Sequence, residues 1–183
     1  NLKALNFFSN VEANIIDSPD ANKKIINITV EEKPTGEIMA GAGVGTAGGT
    51  VAFGVSENNF LGRGIEFSSD VSLSAEALKG IVSLNNPNYK GSNRSLNASL
   101  ESTITDRLKN FGYKSSKTGF TIGSGFEFYD DLYWNTGISS YIEKLDTEAT
   151  ASASMKKQDG SYFDTFFNQT FSYDKRNQKF KTS

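Results

Sequence analysis

The chain has 183 residues, 19 basic against 21 acidic side chains, and neither Cys nor His. That excludes a disulfide framework, a thiol nucleophile, an imidazole base and the usual zinc or haem ligand sets, and the near-neutral balance gives no steering toward nucleic acid. Gly (17), Phe (14) and Tyr (7) are plentiful and Pro (3) is scarce, which suits strands and tight turns and sets the expected class as mainly β. No stretch of about 18 apolar residues is present, so no transmembrane helix and no secretory leader is read, whereas a membrane-spanning β-barrel stays open. The start at Asn1 and the stop at "NQKFKTS" in mid-pattern suggest a segment of a longer protein.

In chain order, "NLKALNFF" (1–8) reads as a helix end, and "VEANIID" and "KKIINITVEEK" read as a hairpin joined by the turn "SPDANK". Next comes "GEIMAGAGVGTAGGTVAFGVSENNF", which holds Gly43-x-Gly45-x-x-Gly48, the spacing of a dinucleotide-binding fingerprint, with Asp70 further on as the acid. That fingerprint needs a buried strand before it and a helix after it. Both flanks alternate with a period of two instead. Ile38, Ala40, Ala42 and Val44 oppose Glu37, Met39, Gly41, Gly43 and Gly45; Val51, Phe53 and Val55 oppose Thr50, Ala52, Gly54 and Ser56. The segment is therefore predicted as two strands with Gly48-Gly49 as their turn, not as a nucleotide site.

The alternation continues through "IEFSSDVSL", "LKGIVSLN", "SLNASLES", "FTIGSGFEF", "LYWNTGISSYIE" and "DTFFNQTFSY", which gives eight predicted strands between Gly36 and Tyr173. One face carries Leu, Ile, Val and Phe, and the other carries Gly, Ser, Thr, Asn, Asp and Glu. This pattern matches a sheet with lipid on one side and a wet lumen on the other, and the strands approach the about 9–11 residues that cross a bilayer at a tilt. Loops 104–117 and 144–161 are expected outside. "NNFLGR" and "YDD" are expected as inner turns, with Gly62 and Gly64 at positive φ and with Tyr129, Tyr133 and Trp134 as an aromatic girdle.

Four motifs in order, "VEEKPTGEIMAGAGVGTAGG", "ENNFLGRG", "SLNNPNYKGSNRSL" and "FSYDKRNQKFKTS", resemble successive motifs of the BamA family of outer-membrane β-barrel assembly factors, within the bacterial surface antigen superfamily. The resemblance covers residues 7–183. It implies that residues 1–33 are the end of a periplasmic α+β POTRA module, that 34–36 form a hinge, and that 37–183 form the N-terminal half of an antiparallel transmembrane barrel, about eight of sixteen strands. Within "DKR" it implies a salt bridge that fixes the turn at Asp174 to Arg176.

The resemblance also implies function: folding and inserting client β-barrels through a lateral gate at the first barrel strand, without covalent chemistry and without a cofactor or metal. The implied location is the bacterial outer membrane with the N-terminal residues in the periplasm. The implied partners are unfolded barrel clients, outer-membrane lipids and accessory lipoproteins at the POTRA end. The gate edge is assigned to Glu37, Ile38, Met39, Ala40, Gly41, Ala42, Gly43, Val44 and Gly45. Two readings of its glycines stand side by side: they make the strand pliable, or they make room for a loop or plug in the lumen. Alternatives for the whole are a secretion or autotransporter-assembly pore of the same superfamily, or a passive eight-stranded channel. Asp130 with Asp131 and Glu31 with Glu32 are the acid pairs on which an enzyme reading would rest. Adjacent acids in turns or at strand ends are ordinarily solvated, so no enzyme is expected.

Overall fold

The computed structural model describes residues 5–19, 22–45 and 48–175. The chain divides into two units between Thr35 and Gly36.

The first unit holds an antiparallel pair, β1 (Phe8–Asp17) and β2 (Lys24–Glu32). Its register sets Val11, Ala13 and Ile15 opposite Val30, Ile28 and Ile26, with a bulge between Phe8 and Asn10 and an ion pair of Lys24 with Asp17 at the turn end. Ile15, Ile26 and Ile28 are exposed, so the hairpin displays an uncovered apolar face. The helix end expected over 1–8 falls partly outside the described residues, and Phe8 is already strand. Turn residues 20 and 21 also lie outside them.

The second unit is one antiparallel sheet in which every strand pairs with its sequence neighbour, in the order β10-β9-β8-β7-β6-β5-β4-β3. The strands are β3 (Gly36–Gly45), β4 (Gly48–Phe60), β5 (Ile65–Ser74), β6 (Ala77–Asn86), β7 (Arg94–Arg107), β8 (Tyr113–Tyr129), β9 (Leu132–Thr147) and β10 (Gly160–Tyr173). These are the eight strands expected from the alternation. Two short helices, α1 (Leu108–Phe111) and α2 (Ala153–Lys156), sit in the connections after β7 and β9.

The register keeps each face continuous. On the apolar face one row runs Phe67, Leu84, Ala98, Ile122, Ile138, Phe167 across β5 to β10, with Glu57 of β4 at its end, and the matching row of the polar face runs Ser56, Ser68, Ser83, Ser99, Thr121, Ser139 across β4 to β9, with Phe166 of β10 at its end. Hydroxyls on the polar row bond across strands, Ser68 with Ser83 at 2.7 Å and Thr121 with Ser139 at 2.9 Å, so these small side chains satisfy one another.

Strand ends differ from expectation at one edge of the sheet. The loops expected at 104–117 and 144–161 shrink to 108–112 and 148–159, because β7, β8 and β9 run on. There the pairs Thr103 with Lys117, Ile104 with Ser116 and Asp106 with Lys114 are mostly polar on both faces, so hydrophobic alternation stops while the backbone ladder continues. The Arg107–Glu76 ion pair at 2.8 Å, the Lys114–Asp106 pair at 3.5 Å and the bond from Asp106 N–H to Glu76 C=O at 2.7 Å hold this extension. Gly48 and Gly49 open β4 rather than form the turn; that turn lies between the paired Gly45 and Gly48, outside the described residues.

Candidate functional site

All nine residues of the expected gate edge lie on β3, which pairs with β4 alone and closes one side of the sheet. In an antiparallel strand, alternate residues turn their N–H and C=O toward a neighbour. Along residues 37–45 every second residue therefore directs its backbone groups away from β4, toward no described strand. The whole of β3 is exposed, Val44 at 93%.

On the apolar face Ile38, Ala40, Ala42 and Val44 lie opposite Val55, Phe53, Val51 and Gly49; on the other, Glu37, Met39, Gly41, Gly43 and Gly45 lie opposite Ser56, Gly54, Ala52, Thr50 and Gly48. A Cβ added at Gly41, Gly43 or Gly45 would meet no heavy atom within 4 Å among the described residues. No packing there demands glycine, and the backbone is ordinary extended strand. What glycine does give is looseness, since each one weakens a strand by about 0.5–1 kcal/mol relative to Ala.

Behind this edge lies a hollow of about 470 Å3 on the side of Met39, Gly41, Ala52, Gly54 and Asp70. Met39 is the one long apolar side chain on this face of β3. Gly54 is buried because the Asp70 carboxylate folds over it; a Cβ there would lie 2.5 Å from Asp70 Oδ1 and 3.4 Å from Met39 Cε. Asp70, the acid of the apparent nucleotide fingerprint, thus faces Gly54 across a strand pair, and Gly45 and Gly48 face each other across a hairpin. No helix follows the glycines, and the nucleotide reading has no structural basis.

The glycines of β8 and β9 are of another kind. A Cβ at Gly119 would overlap the Ser140 carbonyl and the Tyr141 ring, one at Gly123 would lie 2.7 Å from Asn97 Oδ1, and one at Gly137 would lie 2.9 Å from the Ile122 carbonyl. Tyr141 covers Gly119, with the Lys117 ammonium 4.3 Å from the ring centroid; an aromatic ring laid over a strand glycine restores the packing that glycine lacks.

At the opposite end of the sheet from α1 and α2, Trp134 gathers Phe126, Phe128 and Phe171 at centroid distances of 5.4, 6.1 and 5.6 Å. Of the expected girdle, Trp134 belongs to this cluster and Tyr129 ends β8, exposed. Tyr133 belongs elsewhere: as the neighbour of Trp134 on a strand it points to the polar face, opposite Glu127 and Ser172, lining a hollow with Ser95 and Asn135. The three phenylalanines were legible as apolar strand positions but not as one cluster, since that needs the register. Gly62 and Gly64 have φ of +68° and +62°, as expected for their turn. Asp174 N–H bonds Asp131 C=O at 2.9 Å, while Arg176 of the expected salt bridge lies outside the described residues. Asp130 and Asp131 close the β8–β9 turn, and Glu31 and Glu32 end β2. Among the described residues no group of three or more acids could hold a metal ion.

The Omp85 superfamily domain matches residues 59–182. The crystal structure of BamA from Haemophilus ducreyi lacking POTRA domains 1–3 superposes with a TM-score of 0.72 at 20% identity. The match covers 98% of this chain and 37% of that one, so the chain spans little more than a third of its solved relative. No curated protein matches by sequence.

Proposed function

We propose, given that the chain belongs to the Omp85 superfamily, that it is the start of a barrel that folds and inserts client β-barrel proteins into the bacterial outer membrane, with β3 as the strand on which a client's strand is templated. One observation carries this reading: β3 is an exposed sheet edge with three glycines that no contact requires. Unpaired N–H and C=O groups are costly in lipid and pair readily with an incoming strand. The glycines lower the cost of opening such an edge, which favours the pliable-strand reading over a seat for a plug.

In the same reading residues 1–33 are the end of a POTRA module, 34–36 the hinge and 37–183 the first half of the barrel. The separate β1–β2 unit with its uncovered apolar hairpin face supports this division, since such a face calls for the rest of a module. The N-terminal residues then lie in the periplasm, beside accessory lipoproteins, and α1 and α2 lie at the cell exterior.

The test uses proline, which removes one N–H and leaves the side-chain face alone. Of Gly41→Pro and Ala42→Pro in the full-length protein, the one whose N–H points away from β4 should stop client assembly at normal protein level, and the other should break the β3–β4 ladder and lower abundance. A Cys at Ala40 should crosslink to the terminal strand of a stalled client. Normal assembly in both variants with no crosslink would remove the gate and leave a secretion pore or a passive channel as the reading.

A further inference from the structure

On the apolar face, at the end of the sheet with the tight turns 61–64 and 130–131, one register row reads Arg94, Phe126, Trp134, Phe171 across four strands. The Arg94 guanidinium carbon lies 5.6 Å from the Phe126 centroid, and Phe171 stacks on Trp134 at an interplanar angle of 14°. The next row of this face is Leu96, Ser124, Thr136 and Gln169, and the row after it is wholly apolar, Ala98, Ile122, Ile138 and Phe167. Arg94 is exposed and makes no ion pair among the described residues. The nearest acid of the same face within the strands, Glu57, is on β4, three strands away. An always-charged group thus lies over the Phe126 ring at the start of an aromatic row, with no ion-pair partner among the described residues. The Trp134 indole N–H is buried against the same rings and has no acceptor among the described residues.

We infer that Arg94 and the Phe126–Trp134–Phe171 shelf form a binding site for the phosphate headgroup of a membrane phospholipid. The inference rests on the reading above that this face meets lipid. A guanidinium holds a phosphodiester through two parallel N–H donors, and aromatic rings settle at headgroup level. The acyl chains then follow the Ala98, Ile122 and Ile138 strip. An ester carbonyl of the same lipid is the acceptor that a small tilt of Trp134 would admit. Charge selects the occupant: the row offers a cation and no carboxylate, so an anionic lipid such as phosphatidylglycerol should be held in preference to an uncharged diacylglycerol.

The experiment is native mass spectrometry of the full-length protein released from detergent with added phosphatidylglycerol or diacylglycerol. Wild type should retain phosphatidylglycerol; Arg94→Gln should lose about tenfold of that retention, equivalent to about 1.4 kcal/mol. Arg94→Lys should fall between, and Lys114→Gln, at the other end of the sheet, should match wild type. Equal retention by Arg94→Gln and wild type, equal retention of the two lipids, or displacement by millimolar inorganic phosphate would each overturn a lipid site. If Arg94→Gln fails to insert, Phe126→Leu and Arg94→Lys carry the same comparison. Labelling by a photoreactive acyl chain separates the two levels: absence at both Leu100 and Phe120 would sink the lipid-facing reading itself, while labelling there with unchanged retention would sink only the Arg94 site.

Discussion

The two ends of the eight-stranded sheet use glycine for opposite purposes. On β8 and β9 the glycines are sockets: Tyr141 lies over Gly119, Asn97 over Gly123 and Asn135 over Gly125, and the ladder between these strands is the longest in the molecule. On β3, Gly41, Gly43 and Gly45 have no neighbour that a Cβ would meet. The same residue therefore fixes register at one end, where a larger side chain has no room, and loosens the strand at the other, where a larger side chain would have room but is absent. A sheet that is stiff on one side and slack on the other has its weak point chosen in advance, at the edge proposed to receive a client strand.

The comparison breaks most sharply under one pair of substitutions. Gly119→Ala should destabilise the full-length barrel by about 1–3 kcal/mol, since the new methyl meets a backbone carbonyl as well as a ring. Gly43→Ala should stabilise it by about 0.5–1 kcal/mol while slowing client assembly. Urea unfolding of both variants followed by heat-modifiability on gels decides it, and equal effects would erase the distinction between sockets and slack.

Gly112 sharpens it at the α1 end. Its φ is +70°, and a Cβ would lie 2.5 Å from Ala151 N. Gly112→Ala should cost about 1–2 kcal/mol for the left-handed conformation and appear as faster hydrogen exchange across 108–112 and 148–151, with β3–β4 unchanged.

Gly54 stands between the two kinds, because what fills its place is the tip of the flexible Asp70 side chain. Gly54→Ala should be nearly neutral in stability, within about 0.5 kcal/mol, and paired with Asp70→Ala it should become neutral or slightly stabilising. A large loss in the single variant would place Gly54 with the sockets.

The smallest effect concerns Asp159, whose carboxylate accepts from Thr147 Oγ1 at 2.5 Å and from Thr147 N–H at 2.8 Å. These bonds, the hydroxyl's first, hold its carboxyl below the usual aspartate range. With the folded value depressed, the unfolded state binds more protons, so the contribution is present above the ordinary aspartate value of about 4 and fades as pH falls through the depressed one. The protection of the Thr147 amide, taken relative to its intrinsic exchange rate at each pH, should fall on acidification through that window, and Asp159→Asn should remove the dependence.

Much of this was open to reading from residues alone, for a physical reason. Where a strand separates an apolar from a polar medium, its side chains must alternate, and all eight strands from β3 to β10 carry that mark. It disappears where both faces are wet, which is why residues 104–107 and 144–147 read as loop although cross-strand ion pairs and backbone bonds hold them extended. Residues 37–45 were legible as a strand but not as free of packing, because a run of glycines looks the same whether neighbours crowd it or leave it bare. Tyr133 was misplaced by adjacency to Trp134, since on a strand adjacent residues never share a face. Arg94 gave no signal at all until the register set it beside Phe126.

Every strand of the second unit pairs only with the strand next to it in sequence, and this bears on how the molecule is made. Contacts local in sequence ask little loop closure of the chain, so such a sheet can grow by adding one hairpin at a time. Growth that starts where pairing is densest, between β8 and β9, reaches β3 last in that direction. The last strand added on that side is then also the first that can be unstitched, so if β3 lends its edge as proposed, it would do so by partly reversing a late step of the sheet's own folding.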